Sequence, residues 1–197
     1  SCAGRCRETR WDQVLYPMTV SVSAFARGPK FRERRFTSRD GLSLYFRDSG
    51  DLFSPNLPVL CLPGLTRNSS DFAAVAARLS ETRRVICLDY RGRGQSDYDP
   101  DWRNYHPLTY LDDIRHLLAS LGIGRVVVIG TSMGGLLAAG MAAAMPTALA
   151  GAIINDVGPE IGQRGLDRIV AYMKDAGPLA DWNAAVAKLR ATFPNLP

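Results

Sequence analysis

Apolar and polar positions alternate over FRERRFTSRDGLSLYFRDSG, residues 31–50, on both sides of Asp40-Gly41. A period of two turns one face of a strand to a core and the other to water, and Asp-Gly is a turn dipeptide, so the stretch predicts an antiparallel β-hairpin at one side of a sheet. Beyond Pro58 the pattern changes. PVLCLPG (58–64), RRVICLDY (83–90), RVVVIG (125–130) and ALAGAIIND (148–156) are short, continuously apolar runs, as expected of strands buried on both faces. Helical periods separate them. Phe72, Val75, Ala76 and Leu79 share one face of SSDFAAVAARLS. Leu111, Ile114, Leu118 and Leu121 form a stripe on TYLDDIRHLLASLGI, where Thr109 and Asp112 resemble a capping box, and an Ala/Gly/Leu-rich helix runs from Ser132 to about Met145. Strand and helix in alternation predict an α/β fold with a mostly parallel sheet and right-handed crossovers.

After Asp156 the alternation stops. Two amphipathic helices, about Gly165 to Asp175 and Asp181 to Phe193, follow without a strand between them, the pattern of a lid inserted beyond a parallel strand. Residues 1–30 show no sustained period and read as a leader or loosely packed arm. The expected organisation is therefore an arm (1–30), an α/β core (31–157) and the start of a helical cap (158–197).

Charge alters this picture little. The net charge of +5 lies wholly in residues 1–40, which carry nine Arg/Lys against four Asp/Glu and leave fifteen against fifteen in the remainder. A basic leader is a solvated tail more often than a nucleic-acid footprint, so no nucleic-acid partner is expected. No apolar run reaches the ~18 residues of a membrane span, and the first residues lack a signal-peptide core, so a cytoplasmic protein is expected. Cys61 and Cys87 sit inside apolar runs as inert buried thiols, and Cys2 and Cys6 have no neighbouring Cys/His set for zinc.

The chemistry gathers at Gly130-Thr131-Ser132-Met133-Gly134, a G-x-S-x-G pattern between a predicted strand and a predicted helix. So tight a turn needs small residues two positions either side, which Gly130 and Gly134 supply, and it lifts the hydroxyl above the sheet. The Met133 N–H, at the start of the helix, lacks an intrahelical acceptor and can face a developing oxyanion. Arg91-Gly92-Arg93-Gly94 lacks the third glycine and the Lys-Ser/Thr of a nucleotide loop, which leaves the structural role implied by the resemblance described below, with Asp89 tying the loop.

Together with Leu62-Pro63-Gly64-Leu65 and DYRGRGQSD (89–97), each following a strand, this pattern resembles the α/β-hydrolase family and its cap-bearing branch, over about residues 31–197. The resemblance implies acyl transfer with Ser132 as nucleophile and the Leu65 and Met133 amides as oxyanion donors. It implies a small ester, thioester or lactone substrate, with C–C bond hydrolysis as an alternative, and neither cofactor nor metal. A non-catalytic binding module that kept the pocket is the other reading. Pro63 replaces a histidine common in relatives, which questions the rigidity of that loop. Arg67 and Asn68, just past it, are candidate substrate-binding residues, and Ile169, Val170 and Met173 a candidate roof.

The family order is serine, acid, histidine. His106 and His116 both precede Ser132, so the base, the acid and the last strands are expected beyond this chain, supplied by a second polypeptide or an exchanged copy. Asp156 is an alternative acid.

Overall fold

The computed structural model describes residues 30–158, 160, 162–174, 177 and 179–192; residues 1–29 of the expected arm, with Cys2 and Cys6, lie outside the described residues. Strands β1 (Phe31–Thr37), β2 (Ser43–Ser49), β3 (Val59–Leu62), β4 (Val85–Leu88), β5 (Val126–Thr131) and β6 (Leu149–Asn155) form one sheet in the order β1-β2-β4-β3-β5-β6. β1 and β2 make the expected hairpin, in register from Phe31 opposite Ser49 to Thr37 opposite Ser43. Gly41, at a φ of 92°, takes the left-handed position in its turn. β2 runs antiparallel to β4, and the pairs β4–β3, β3–β5 and β5–β6 are parallel.

Among the described residues five α-helices accompany the sheet: α1 (Ala73–Leu79), α2 (Pro107–Ser120), α3 (Met133–Ala144), α4 (Gln163–Lys174) and α5 (Trp182–Thr192). Leu60, Leu62, Ile86, Leu88, Val126 and Val128 pack against Ile114 and Leu117 of α2 and Leu137 and Met141 of α3. Val59, Cys61, Val85 and Cys87 join Phe72 and Ala76 of the α1 region in a second cluster. Alternate residues of the central strands thus enter two separate clusters, which is why their apolar runs have no polar face. β6 is outermost, and its Ile153 and Ile154 are exposed.

Helix boundaries depart from the sequence pattern in two places. α2 begins at Pro107, with His106 as its cap: His106 Nδ1 accepts the Leu108 N–H at 3.2 Å. Proline suits the first helical position because the N–H it lacks has no intrahelical acceptor there, so Thr109 and Asp112 fall inside the helix and form no cap. α2 ends in a Schellman motif around Gly122 (φ 66°), with the Ile123 N–H on Leu118 O at 2.9 Å and the Gly122 N–H on Ala119 O at 3.1 Å. In the stretch expected to be one helix from Ser69, residues Ser69–Phe72 form a 3-10 turn, and Val75 is exposed while Phe72 and Ala76 are buried.

Candidate active site

Ser132 is the single residue between the end of β5 and the start of α3, with φ 51° and ψ −115°. A side chain pays about 1–3 kcal/mol to hold such a backbone, so the surroundings must enforce it. Three hydrogen bonds do. The Ser132 N–H donates to Asn155 O of β6 at 2.9 Å, while Ser132 O accepts the Gly135 N–H at 2.9 Å and the Leu136 N–H at 3.2 Å. The flanking glycines permit the close approach: a methyl carbon on Gly130 would lie 2.3 Å from Gly134 O, and one on Gly134 would lie 2.0 Å from Leu62 O. Ser132 is half-buried, and among the described residues neither its Oγ nor the Met133 N–H has a hydrogen-bond partner.

The loop after β3 passes alongside. A methyl carbon on Gly64 would stand 3.8 Å from Ser132 Cβ. Three consecutive carbonyls of this loop are held: Pro63 O accepts from Tyr90 Oη at 3.1 Å, Gly64 O from the Arg67 N–H at 3.1 Å, and Leu65 O from Arg93 Nε at 2.7 Å. Burial pushes the Tyr90 phenol well above its ordinary pKa, which keeps it a donor. The loop is therefore braced without a histidine at position 63. In the trans peptide between Gly64 and Leu65 the N–H is directed opposite to the anchored carbonyl, out of the Arg67 turn, and no described residue accepts it.

Arg67 is exposed and its guanidinium grips Asp71, Nε to Oδ2 at 2.7 Å and Nη2 to Oδ1 at 3.0 Å. Asn68 Oδ1 caps the 3-10 turn by accepting the Ser70 N–H at 2.9 Å. Asp156 follows Asn155 directly, is exposed, and is the other non-glycine residue with positive φ among those described, at 58°. The two strained residues are thus linked through the Ser132–Asn155 hydrogen bond. Both histidines belong to α2, His106 as its cap and His116 on its surface, 4.0 Å from Asp112. Ile169, Val170 and Met173 of α4 are exposed.

The RGRG stretch ties structure together, the role that the family resemblance implied. Asp89 is buried; its Oδ1 accepts the Ser69 N–H at 2.6 Å and its Oδ2 the Gln95 N–H at 2.9 Å, joining the 3-10 turn after β3 to the loop after β4. Arg91 is buried and its guanidinium donates to the buried Asp113 (2.6 and 2.9 Å), to Asp99 (2.6 Å) and to the exposed Asp40 (2.7 and 3.3 Å). The hold of Arg93 on Leu65 O, 28 residues away, has no signal in the sequence pattern.

Among the described residues no helix is long and apolar enough to cross a membrane. The chain is 37% identical over 128 residues to a 3-hydroxybutyrate-oligomer hydrolase of Cupriavidus necator, covering 65% of this chain and 43% of the relative. It is 32% identical over 140 residues to a 2-(acetamidomethylene)succinate hydrolase of Mesorhizobium japonicum, covering 71% of this chain and 50% of the relative. The chain thus spans about half the length of these curated relatives. A solved α/β hydrolase from Novosphingobium aromaticivorans superposes with a TM-score of 0.78 at 45% identity, covering 86% of this chain and 60% of that one. Residues 58–195 match the family model for the α/β hydrolase fold, and with the strand order and the strand-to-helix turn around Ser132 the chain belongs to the α/β-hydrolase family.

Proposed function

We propose that this chain carries the nucleophile half of a serine hydrolase that works by acyl transfer on a small ester, thioester or lactone. The observation that carries the reading is the strained backbone of Ser132, held in place by three hydrogen bonds while its own hydroxyl and the Met133 amide have no partner among the described residues. Strain that the surroundings maintain at an unpaired polar side chain points to a reacting group. Ser132 Oγ attacks the substrate carbonyl carbon as its proton passes to a base, and the carbonyl oxygen takes up the charge. The Met133 and Leu65 amides receive that oxyanion, an effect of about 3–4 kcal/mol per donor. Collapse expels the alcohol or thiol, and water then cleaves the acyl-enzyme. The base and the acid come from outside the described residues, with α4 and α5 as the start of a cap over the site; Asp156, next to Asn155, is the alternative acid. The name of one relative, a 3-hydroxybutyrate-oligomer hydrolase, supports an ester of a hydroxy acid as the substrate class.

A second reading, a binding module that keeps the pocket without the chemistry, draws on the placement of both histidines on α2, where His106 caps the helix. A fluorophosphonate probe separates the two in the full-length protein. Covalent capture at Ser132, hydrolysis of p-nitrophenyl butyrate, and loss of both in Ser132→Ala support the enzyme. An unlabelled wild type, or hydrolysis that survives the substitution, refutes it.

A further inference from the structure

The loop that carries Leu65 is held by one phenol, one backbone amide and one guanidinium. Only the last acts on the carbonyl of Leu65 itself. Arg93 Nε donates to Leu65 O at 2.7 Å, its Nη1 donates to Gly92 O at 3.0 Å, and its guanidinium carbon lies 5.9 Å from the centre of the Tyr105 ring. Arg93 is half-buried and stands between two residues in left-handed backbone, Gly92 at 67° and Gly94 at 53°. That backbone is in turn fixed: the Gly92 N–H donates to Asp97 O at 2.8 Å, and a methyl carbon on Gly92 would lie 2.5 Å from the Tyr105 ring. The guanidinium is therefore presented to Leu65 by a rigid support.

We propose that Arg93 is a positioning residue for the acyl-transfer site, clamping the peptide that follows Leu65 so that the peptide preceding it keeps its N–H available to the oxyanion. The proposal rests on the serine hydrolase reading above. Its physical basis is that two rotations, at Leu65, connect the clamped peptide to the one whose N–H matters. Gly64 on the other side has no Cβ and little torsional preference of its own, so the orientation of its peptide must be imposed from outside. The Arg67 N–H fixes one end of that peptide by its carbonyl. Without the Arg93 clamp the Leu65 side of the loop is free to rotate, and a donor displaced by about 1 Å loses most of its value to a transition state. An oxyanion contact is made in the transition state and not in the ground state, so its loss lowers kcat and leaves KM.

The test uses Arg93→Met and Arg93→Lys in the full-length protein, with two independent readouts. The first is the position of the Leu65 and Thr66 backbone amide resonances in 15N-labelled protein. The second is kcat and KM for p-nitrophenyl butyrate, with and without guanidinium ion at millimolar, non-denaturing concentration. In Arg93→Met the two resonances move while those of β5 stay, kcat falls about 10- to 100-fold with KM within about twofold, and guanidinium raises kcat severalfold in the variant alone. Arg93→Lys, which keeps a cationic donor, retains more activity than Arg93→Met, and it carries the same measurements should the methionine variant not fold. Unmoved Leu65 and Thr66 resonances, or a kcat within twofold of the wild type, overturn the proposal. A wild type that the fluorophosphonate does not label removes the acyl-transfer reading instead, and the resonances then decide the clamp by themselves.

Discussion

Replacing Gly134 by alanine sets helix propensity against packing, and the structure says which wins. Alanine is favoured over glycine by about 1 kcal/mol inside a helix, so a reading of α3 alone predicts a gain. The added carbon, however, would lie 2.0 Å from Leu62 O, 2.6 Å from Leu62 C and 2.9 Å from Leu62 Cβ. An ordinary contact is about 3.5 Å, so the start of α3 must retreat from β3 by more than about 1 Å. It cannot do so alone, because Ser132 O is bonded to the Gly135 and Leu136 amides and the Ser132 N–H to Asn155 O. Overpacking of this kind costs about 1–3 kcal/mol, and the opposing atoms here are backbone, which favours the upper end. At about 3 kcal/mol the melting temperature falls by about 6–12 °C for a chain of this size. The displacement also carries Ser132 and the Met133 amide, so ester hydrolysis by the full-length protein should fall about 100-fold. Gly165→Ala is the control: nothing stands within 4 Å of its added carbon and it lies in α4, so propensity acts unopposed. Melting of the two variants, with hydrolysis of p-nitrophenyl butyrate, gives the comparison. If Gly134→Ala melts within 2 °C of the wild type, the close approach of α3 to β3 is not what shapes the turn at Ser132.

Ser132→Gly relieves the positive φ of 51° and should raise stability by about 1 kcal/mol while abolishing hydrolysis; a lower melting temperature than wild type contradicts strain at this residue. Arg91→Met leaves Asp113 and Asp99 buried without their cation and should cost about 3–5 kcal/mol, read by urea unfolding, with a loss under 1 kcal/mol counting against the cluster. The hydrogen bond from Arg91 is the largest cause holding the Asp40 carboxyl down to about 2 from 3.8. A carboxylate with a depressed folded pKa contributes stability that is present above about pH 4 and lost as pH falls through about 2, so Asp40→Asn should flatten the melting temperature between pH 4 and 2 relative to wild type. Residues 1–197 expressed alone expose Ile153 and Ile154 on the outermost strand with Leu166, Ile169 and Val170 on α4, and should self-associate in size-exclusion chromatography; a monodisperse, cooperatively melting monomer opposes this.

Much of this fold is legible in short windows. The alternating period of residues 31–50, the apolar runs of the central strands and the glycines flanking Ser132 each act over a few residues, where backbone sterics and burial on one or two faces leave few options. The hairpin, the buried Cys61 and Cys87, the tie made by Asp89 and the turn at Ser132 follow from them. The start of α2 differs from the pattern for a reason of the same kind: two local signals compete, and proline at the first helical position prevails over the Thr109 and Asp112 pair because its ring already holds the required φ. Other features belong to the assembled molecule alone. Arg91 draws carboxylates from positions 40, 99 and 113, Leu65 O meets Arg93 across 28 residues, and the Ser132 amide reaches Asn155 on a neighbouring strand. Each of these polar groups had several possible partners in the unfolded chain. Burial removes water as a partner for Arg91 and Asp113, and for the others the packing of helices and loops on the sheet fixes which partner each one meets.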